Sequence, residues 1–297
     1  MTERDQDPAV LDSHIHFWDP RGSISYPWLR EVPPLNAPFT TDDFDAVRPA
    51  NTSVVFVEAG RADEHAAAEI EWIRDEAERH PWLAGAVAHV RLEDPQSARA
   101  VIGRYADDPF VVGVRRNVQD EPSGFLADHG LREGIRLLGA AGLPFDACVR
   151  EHQLPELIDL VAACPDTTIV LDHLGKPTSA TRHRPWRQAL ARLAGHGNVV
   201  AKLSGLATEL SVSTPRTKVI SLLRDALEVF GPERCLYGSD WPVMTQVTSY
   251  EDWLGLVREA LTGYPAATAE AVLRTNAEHV YQVHAASSPD TRPRAKA

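Results

Sequence analysis

The stretch Val10-Leu-Asp-Ser-His-Ile-His-Phe-Trp-Asp-Pro20 decides how this chain is read. Val10 and Leu11 open an apolar strand, and His14 and His16 follow two residues apart. Side chains alternate across a β-strand, so residues i and i+2 share a face. Two imidazoles then converge at the end of the strand. Such a pair can offer two nitrogen ligands to a metal or two donors to a substrate oxygen. The other reading is two histidines on a surface turn, bonded to backbone or water, and the motif alone does not choose between them.

Working outward, the chain alternates strand and helix. After the opening strand, β-rich runs are predicted at 52–58, 84–90, 111–115, 143–149, 167–171, 198–202 and 234–238. Helical spacing of apolar residues is read between and after them at 62–80, 94–106, 125–141, 154–163, 185–194, 215–230, 250–261 and 266–282. Pro81 and Gly142 act as stop signals. Strict alternation implies parallel strands with right-handed crossovers. About eight such units in one chain predict an α/β fold, a single-domain (β/α)8 TIM barrel. A doubly wound sheet is the alternative, but no Gly-X-Gly-X-X-Gly follows any strand. The expected organisation is a polar N-terminal tail (1–9), the barrel (10–284) and a disordered tail (285–297). The loop at 19–38 contains Tyr26-Pro-Trp28 and Pro33-Pro34, which suits an ordered lid or pocket wall better than a linker.

Composition narrows the function classes. The 297 residues are 43% hydrophobic and 24% charged, with a formal net charge of −12. That balance argues against a broad nucleic-acid or anionic-membrane surface and leaves a small molecule as the expected partner. A homo-oligomer is compatible with it. Cys148, Cys164 and Cys235 are too few and scattered for a disulfide framework, which points to a reducing, cytoplasmic setting. The start lacks a signal-peptide core, and no apolar run approaches the roughly 20 residues that span a membrane.

His14, His16, Glu58, Arg115, His173, Lys202 and Asp240 all fall at the predicted C-terminal ends of strands, the face where barrels place their chemistry. Each has an ordinary alternative. Arg115 could bridge to a helix carboxylate, Lys202 reach solvent, Glu58 pair with Arg61, and Asp240 cap a turn. Together they predict an active site, because so many ionisable groups gathered at one face are costly unless paired or used.

The sequence resembles the amidohydrolase superfamily, in its branch of metal-variable barrel lactonases. The matching pieces are Leu11-Asp-Ser-His-Ile-His-Phe-Trp-Asp-Pro20, Gly113-Val-Arg115, Gln119-Asp-Glu-Pro122, Cys148-Val-Arg150, Leu171-Asp-His-Leu-Gly-Lys-Pro177, Lys202-Leu-Ser-Gly205 and Gly238-Ser-Asp-Trp-Pro242. The branch includes sugar-lactone, pyrone-dicarboxylate and muconolactone hydrolases. The resemblance implies that Asp240 takes a proton from water and that His173 contacts water or the substrate carbonyl. It implies that Arg115 and Lys202 bind substrate. Four positions depart from the pattern: His89 and Arg91 stand where Trp and Asp are expected, Arg116 where His is common, and Glu58 where Gln is common. These differences are expected around the substrate pocket, so His89, Arg91 and Arg116 join Trp18 as expected substrate contacts. Trp28 and Trp241 are candidate walls.

The expected reaction is the opening of a lactone, either a sugar lactone or a related carboxylated one, by an activated water. A decarboxylase or C–C hydrolase of the same superfamily is an alternative, and a non-catalytic binding barrel a weaker one. For the metal, Cys148-Val-Arg150 replaces the histidine that the resemblance places after the fifth strand. His14, His16, Glu58 and Asp240 nevertheless make a reasonable ligand set for zinc or manganese. A divalent metal is therefore slightly favoured over a metal-free site.

Overall fold

The structure is a computed structural model and describes residues 8–178 and 182–283. The tail expected at 285–297 and most of the one expected at 1–9 lie outside these. Eight parallel strands run β1 (Val10–Ile15), β2 (Thr52–Val57), β3 (Leu83–His89), β4 (Val111–Arg115), β5 (Phe145–Ala147), β6 (Ile169–Leu171), β7 (Val199–Leu203) and β8 (Cys235–Tyr237), each paired with the next. The seam between β8 and β1 is joined just beyond the strands. The Asp240 N–H donates to the His14 carbonyl at 2.9 Å, and the His16 N–H to the Trp241 carbonyl at 2.8 Å. The two motifs that open and close the sequence reading are thereby tied together by backbone.

Strand alternation separates two apolar populations. Val54 and Phe56 belong to the large cluster packed against the helices. Val55 and Val57 belong to a smaller one with Leu11, Val87, Val170 and Leu236, the expected interior of a barrel. Tyr281, at the end of the last helix, joins this inner cluster and donates its hydroxyl to Asp146 at 2.9 Å.

The outer layer is α2 (Ala66–Arg79), α3 (Pro95–Ala106), α4 (His129–Ala140), α5 (Leu154–Ala163), α6 (His183–Ala194), α8 (Arg216–Phe230) and α9 (Tyr250–Ala260). In α4, Leu131, Ile135 and Leu138 recur at helical spacing and are fully buried, while the Asp128 carboxylate caps the Leu131 N–H. Burying each such side chain contributes about 1.5–3 kcal/mol.

Three expectations shift at this level. A short helix, α1 (Thr41–Asp45), precedes β2; Thr40 and Asp43 form its capping box, a signal too local to stand out in a Pro-rich loop. A four-residue helix, α7 (Leu206–Glu209), follows β7. The final helix, expected over 266–282, runs without a break to Tyr281 but widens into a π turn at Ala271–Thr275 between α10 (Ala266–Glu270) and α11 (Asn276–Tyr281).

The loop after β1 is an ordered wall. Two 3-10 turns, Pro27–Glu31 and Pro33–Leu35, build it. The Trp18 indole N–H holds it by donating to the carbonyls of Leu35 and Ala37 at 3.1 and 3.0 Å.

Candidate active site

The two histidines of the opening motif do converge. His14 Nε2 and His16 Nε2 lie 3.1 Å apart. His16 Nδ1 sits 2.7 Å from the Val57 carbonyl, which only accepts, so that nitrogen carries a proton and Nε2 is the one turned to the cluster. His14 Nδ1 faces Asp172 Oδ1 at 3.2 Å and the Lys202 ammonium at 3.1 Å. Burial, with Lys202 as the next cause, lowers the His14 pKa far below its usual value, so the ring is neutral.

Asp240 completes the cluster from beyond β8. Its Oδ1 is 3.5 Å from His16 Nε2, 3.8 Å from His14 Nε2 and 3.9 Å from His173 Nε2. Burial alone would raise its pKa, but His173 and His16 outweigh that and hold it below the usual carboxylate range. It is therefore an ionised carboxylate facing three imidazole nitrogens.

His173 reaches this point through an unusual backbone. His173, Leu174, Gly175 and Lys176 all have left-handed φ values, between 52° and 71°. For residues other than glycine such a conformation costs about 1–3 kcal/mol each, which is tolerated where a site demands it. The turn aims His173 at Asp240 and Lys176 into the same cavity. Ser204 Oγ bonds His173 Nδ1 at 2.9 Å. Gly205 packs so tightly on that ring that a Cβ would stand 2.3 Å from Nδ1.

A profile of the family described as amidohydrolase matches residues 11–283. The chain belongs to the amidohydrolase family. An L-fucono-1,5-lactonase of Burkholderia ambifaria is 30% identical to this amidohydrolase over 281 residues, covering 92% of this chain and 95% of that protein. One from Burkholderia multivorans is 33% identical over 264 residues, covering 83% and 86%. The crystal structure of an amidohydrolase from Burkholderia multivorans with bound zinc superposes with a TM-score of 0.83 at 30% identity, covering 93% of this chain and 100% of that one.

In this amidohydrolase, His14, His16 and Asp240 fit a divalent ion. One donor atom from each lies within 4.8 Å of the other two, and all three residues are buried. Two imidazoles and a carboxylate are a suitable donor set, with the Val57 carbonyl holding the outer edge of the His16 ring while Lys202 and Asp172 face that of His14. Glu58, expected as a fourth ligand, is committed elsewhere. Its Oε1 accepts from Arg115 Nε at 2.7 Å, and its Oε2 is 3.0 Å from Arg61. Burial would raise its pKa, but the two guanidiniums outweigh that and hold it at about 2. Glu58 is thus the counter-charge of Arg115 rather than a metal ligand.

Beside the cluster opens a cavity of about 470 Å³. Trp18 and Trp28 wall it, their rings packed edge-on at 5.2 Å. The Trp28 indole N–H is fixed on the Ala59 carbonyl at 2.8 Å. Arg115 lines the cavity, its Nη1 3.5 Å from His14 Nε2.

Several expected substrate contacts lie elsewhere. Lys202 is fully buried below His14, bonded to Asp146 and 3.1 Å from Asp172, so it supports the histidine from beneath. It sits inside β7 on the interior face, not past the strand end. Arg116 pairs with Glu93 and Glu121 on the flank of the barrel. His89 and Arg91 line a different cavity, on the α3 side, with His89 3.4 Å from Asp63. Trp241 packs against Phe17, Phe39 and Phe44. These positions look like pocket positions in sequence, but their side chains are taken up by partners outside the cavity.

The cavity instead recruits Lys176, Arg150, Asp120, Gln119, Asn117 and Glu31. Three of the stretches that carry the family resemblance contain Lys176, Arg150 and Gln119-Asp120, which was the available signal. Glu31 had none beyond its place in the Pro-rich loop.

Proposed function

We propose that this amidohydrolase opens the ring of a sugar lactone by hydrolysis. The observation that carries the reading is Asp240, an ionised carboxylate held among three imidazoles at the edge of a cavity with an aromatic wall. Two relatives over most of the chain are L-fucono-1,5-lactonases, which favours lactone opening over decarboxylation or mere binding.

Asp240 takes a proton from a water molecule at the histidine cluster, and the water oxygen bonds to the lactone carbonyl carbon. Arg115 Nη1, positioned by Glu58, donates toward the carbonyl oxygen as negative charge builds there. His173, neutral and fixed by Ser204, helps orient the water. The ring C–O bond then breaks, and the proton held by Asp240 passes to the leaving alkoxide, giving a hydroxy acid. A divalent ion bound by His14, His16 and Asp240 would lower the pKa of a water and polarise a carbonyl. Trp28, backed edge-on by the buried Trp18, offers an apolar face for the C–H side of a sugar ring.

Three free, buried cysteines fit a reducing cytoplasm. Among the described residues no helix is long and apolar enough to cross a membrane. The deciding experiment follows acid release from a panel of five- and six-membered aldonolactones. Hydrolysis at rates well above background supports the reading; none from any lactone removes it.

A further inference from the structure

Each cation of the cavity already has a carboxylate partner. Arg115 is held by Glu58 at 2.7 Å. The Lys176 ammonium lies 3.2 Å from Glu209 Oε1, with both side chains largely buried, at 14% and 19% exposure. Arg150 donates twice to Asp120 Oδ1, at 2.8 and 3.2 Å, while Gln119 donates to Asp120 Oδ2 at 3.1 Å. Glu31 and Asp240 line the same space. With Arg61, which shares Glu58, four cations stand against five carboxylates, so the pocket holds no unpaired cation for an incoming carboxylate.

From this balance we propose that Glu209 and Asp120 are specificity-determining residues. By holding Lys176 and Arg150 in ion pairs, they close the cavity to carboxylated lactones and reserve it for neutral, polyhydroxylated ones. This rests on the lactone-hydrolase reading.

A substrate carboxylate entering such a pocket loses hydration at a cost of several kcal/mol. To recover it, the carboxylate must take a cation from its existing partner and stand beside that partner's like charge. A hydroxyl meets no such conflict. It accepts from the ammonium or guanidinium and donates to the carboxylate at once, so each ion pair serves as a ready receptor for a hydroxyl. Local structure builds the buried pair. Gly205, at φ 67°, turns the chain from β7 into α7, whose last residue is Glu209, and the left-handed Lys176 meets it from the turn after β6.

The test titrates isophthalate, a non-hydrolysable dicarboxylate, into the full-length protein by calorimetry. Glu209→Gln is expected to bind it about tenfold tighter than wild type, equivalent to about 1.4 kcal/mol. Asp120→Asn is expected to gain only about threefold, because that pair is more exposed and screened. Adding Lys176→Met to Glu209→Gln should abolish the gain. Equal binding by wild type and both single variants overturns the proposal. So does a wild-type enzyme that hydrolyses a carboxylated lactone faster than a neutral sugar lactone, a result that needs no variant to fold. Failure of the lactonase reading shows separately, as no acid release from any lactone, while the titration still reports on the ion pairs.

Discussion

The ammonium of Lys202 lies 3.1 Å from Nδ1 of His14, with neither side chain reaching solvent. A buried lysine under a site histidine is stable here because Asp146 and Asp172 flank it, and Tyr281 steadies Asp146 from the last helix. Charge inside the barrel is thus arranged in layers, and the layers separate structural roles from chemical ones.

Lys202→Met should act on stability. It leaves Asp146 and Asp172 without their shared cation, and breaking a buried pair this way costs about 3–5 kcal/mol. Urea unfolding should show that loss, while KM of any folded fraction changes little. A large rise in KM with unchanged stability would return Lys202 to the substrate.

Glu58→Gln distinguishes a counter-charge from a metal ligand. Arg115 and Arg61 lose their common carboxylate, so kcat/KM should fall by about tenfold or more, in line with the loss of one partner of a buried charge pair. Zinc content by mass spectrometry should match wild type. By contrast, His16→Ala should lose zinc, and Asp240→Asn should cut kcat by about 10²–10⁴, the range for removing a general base.

Glu69 supplies a pH-dependent stability. It is fully buried on α2, its Oε1 accepting from the Ala59 N–H at 3.1 Å. Burial, with Glu58 as the next cause, raises its pKa from the usual 4.5 to about 8. Between those values the folded chain holds a proton that the unfolded chain has released, so stability falls as pH rises through that window. Glu69→Gln keeps the acceptor and removes the titration. Its melting temperature should gain on wild type from about pH 5 to pH 8.5, with about 2 °C for each kcal/mol. Parallel profiles would show that Glu69 does not titrate there.

Gly205→Ala tests the support of His173. The new methyl collides with the imidazole, and the residue must keep φ at 67°. Activity should fall further than stability, because the ring that faces Asp240 is the part that moves. An unchanged kcat would show that the orientation of His173 is not limiting.

The sequence by itself determined the barrel. Strand and helix signals depend on residues two, three or four positions apart, so alternation, the shared face of His14 and His16, and the gathering of charge at strand ends are all legible locally. The seam between β1 and β8 follows from closure. What only the tertiary structure decided is which charge meets which. Glu58 and Arg115 are 57 residues apart, and Asp146 and Lys202 are 56 apart. No local period records such pairings. Lys202 and Lys176 both follow apolar strands, yet Lys202 stays inside the pleat of β7 and points into the barrel, while Lys176 lies past β6 on a left-handed turn and enters the cavity. That difference of a few residues in where a strand ends separates a buried counter-ion from a cavity cation, and strand ends are set by the packing of the whole barrel.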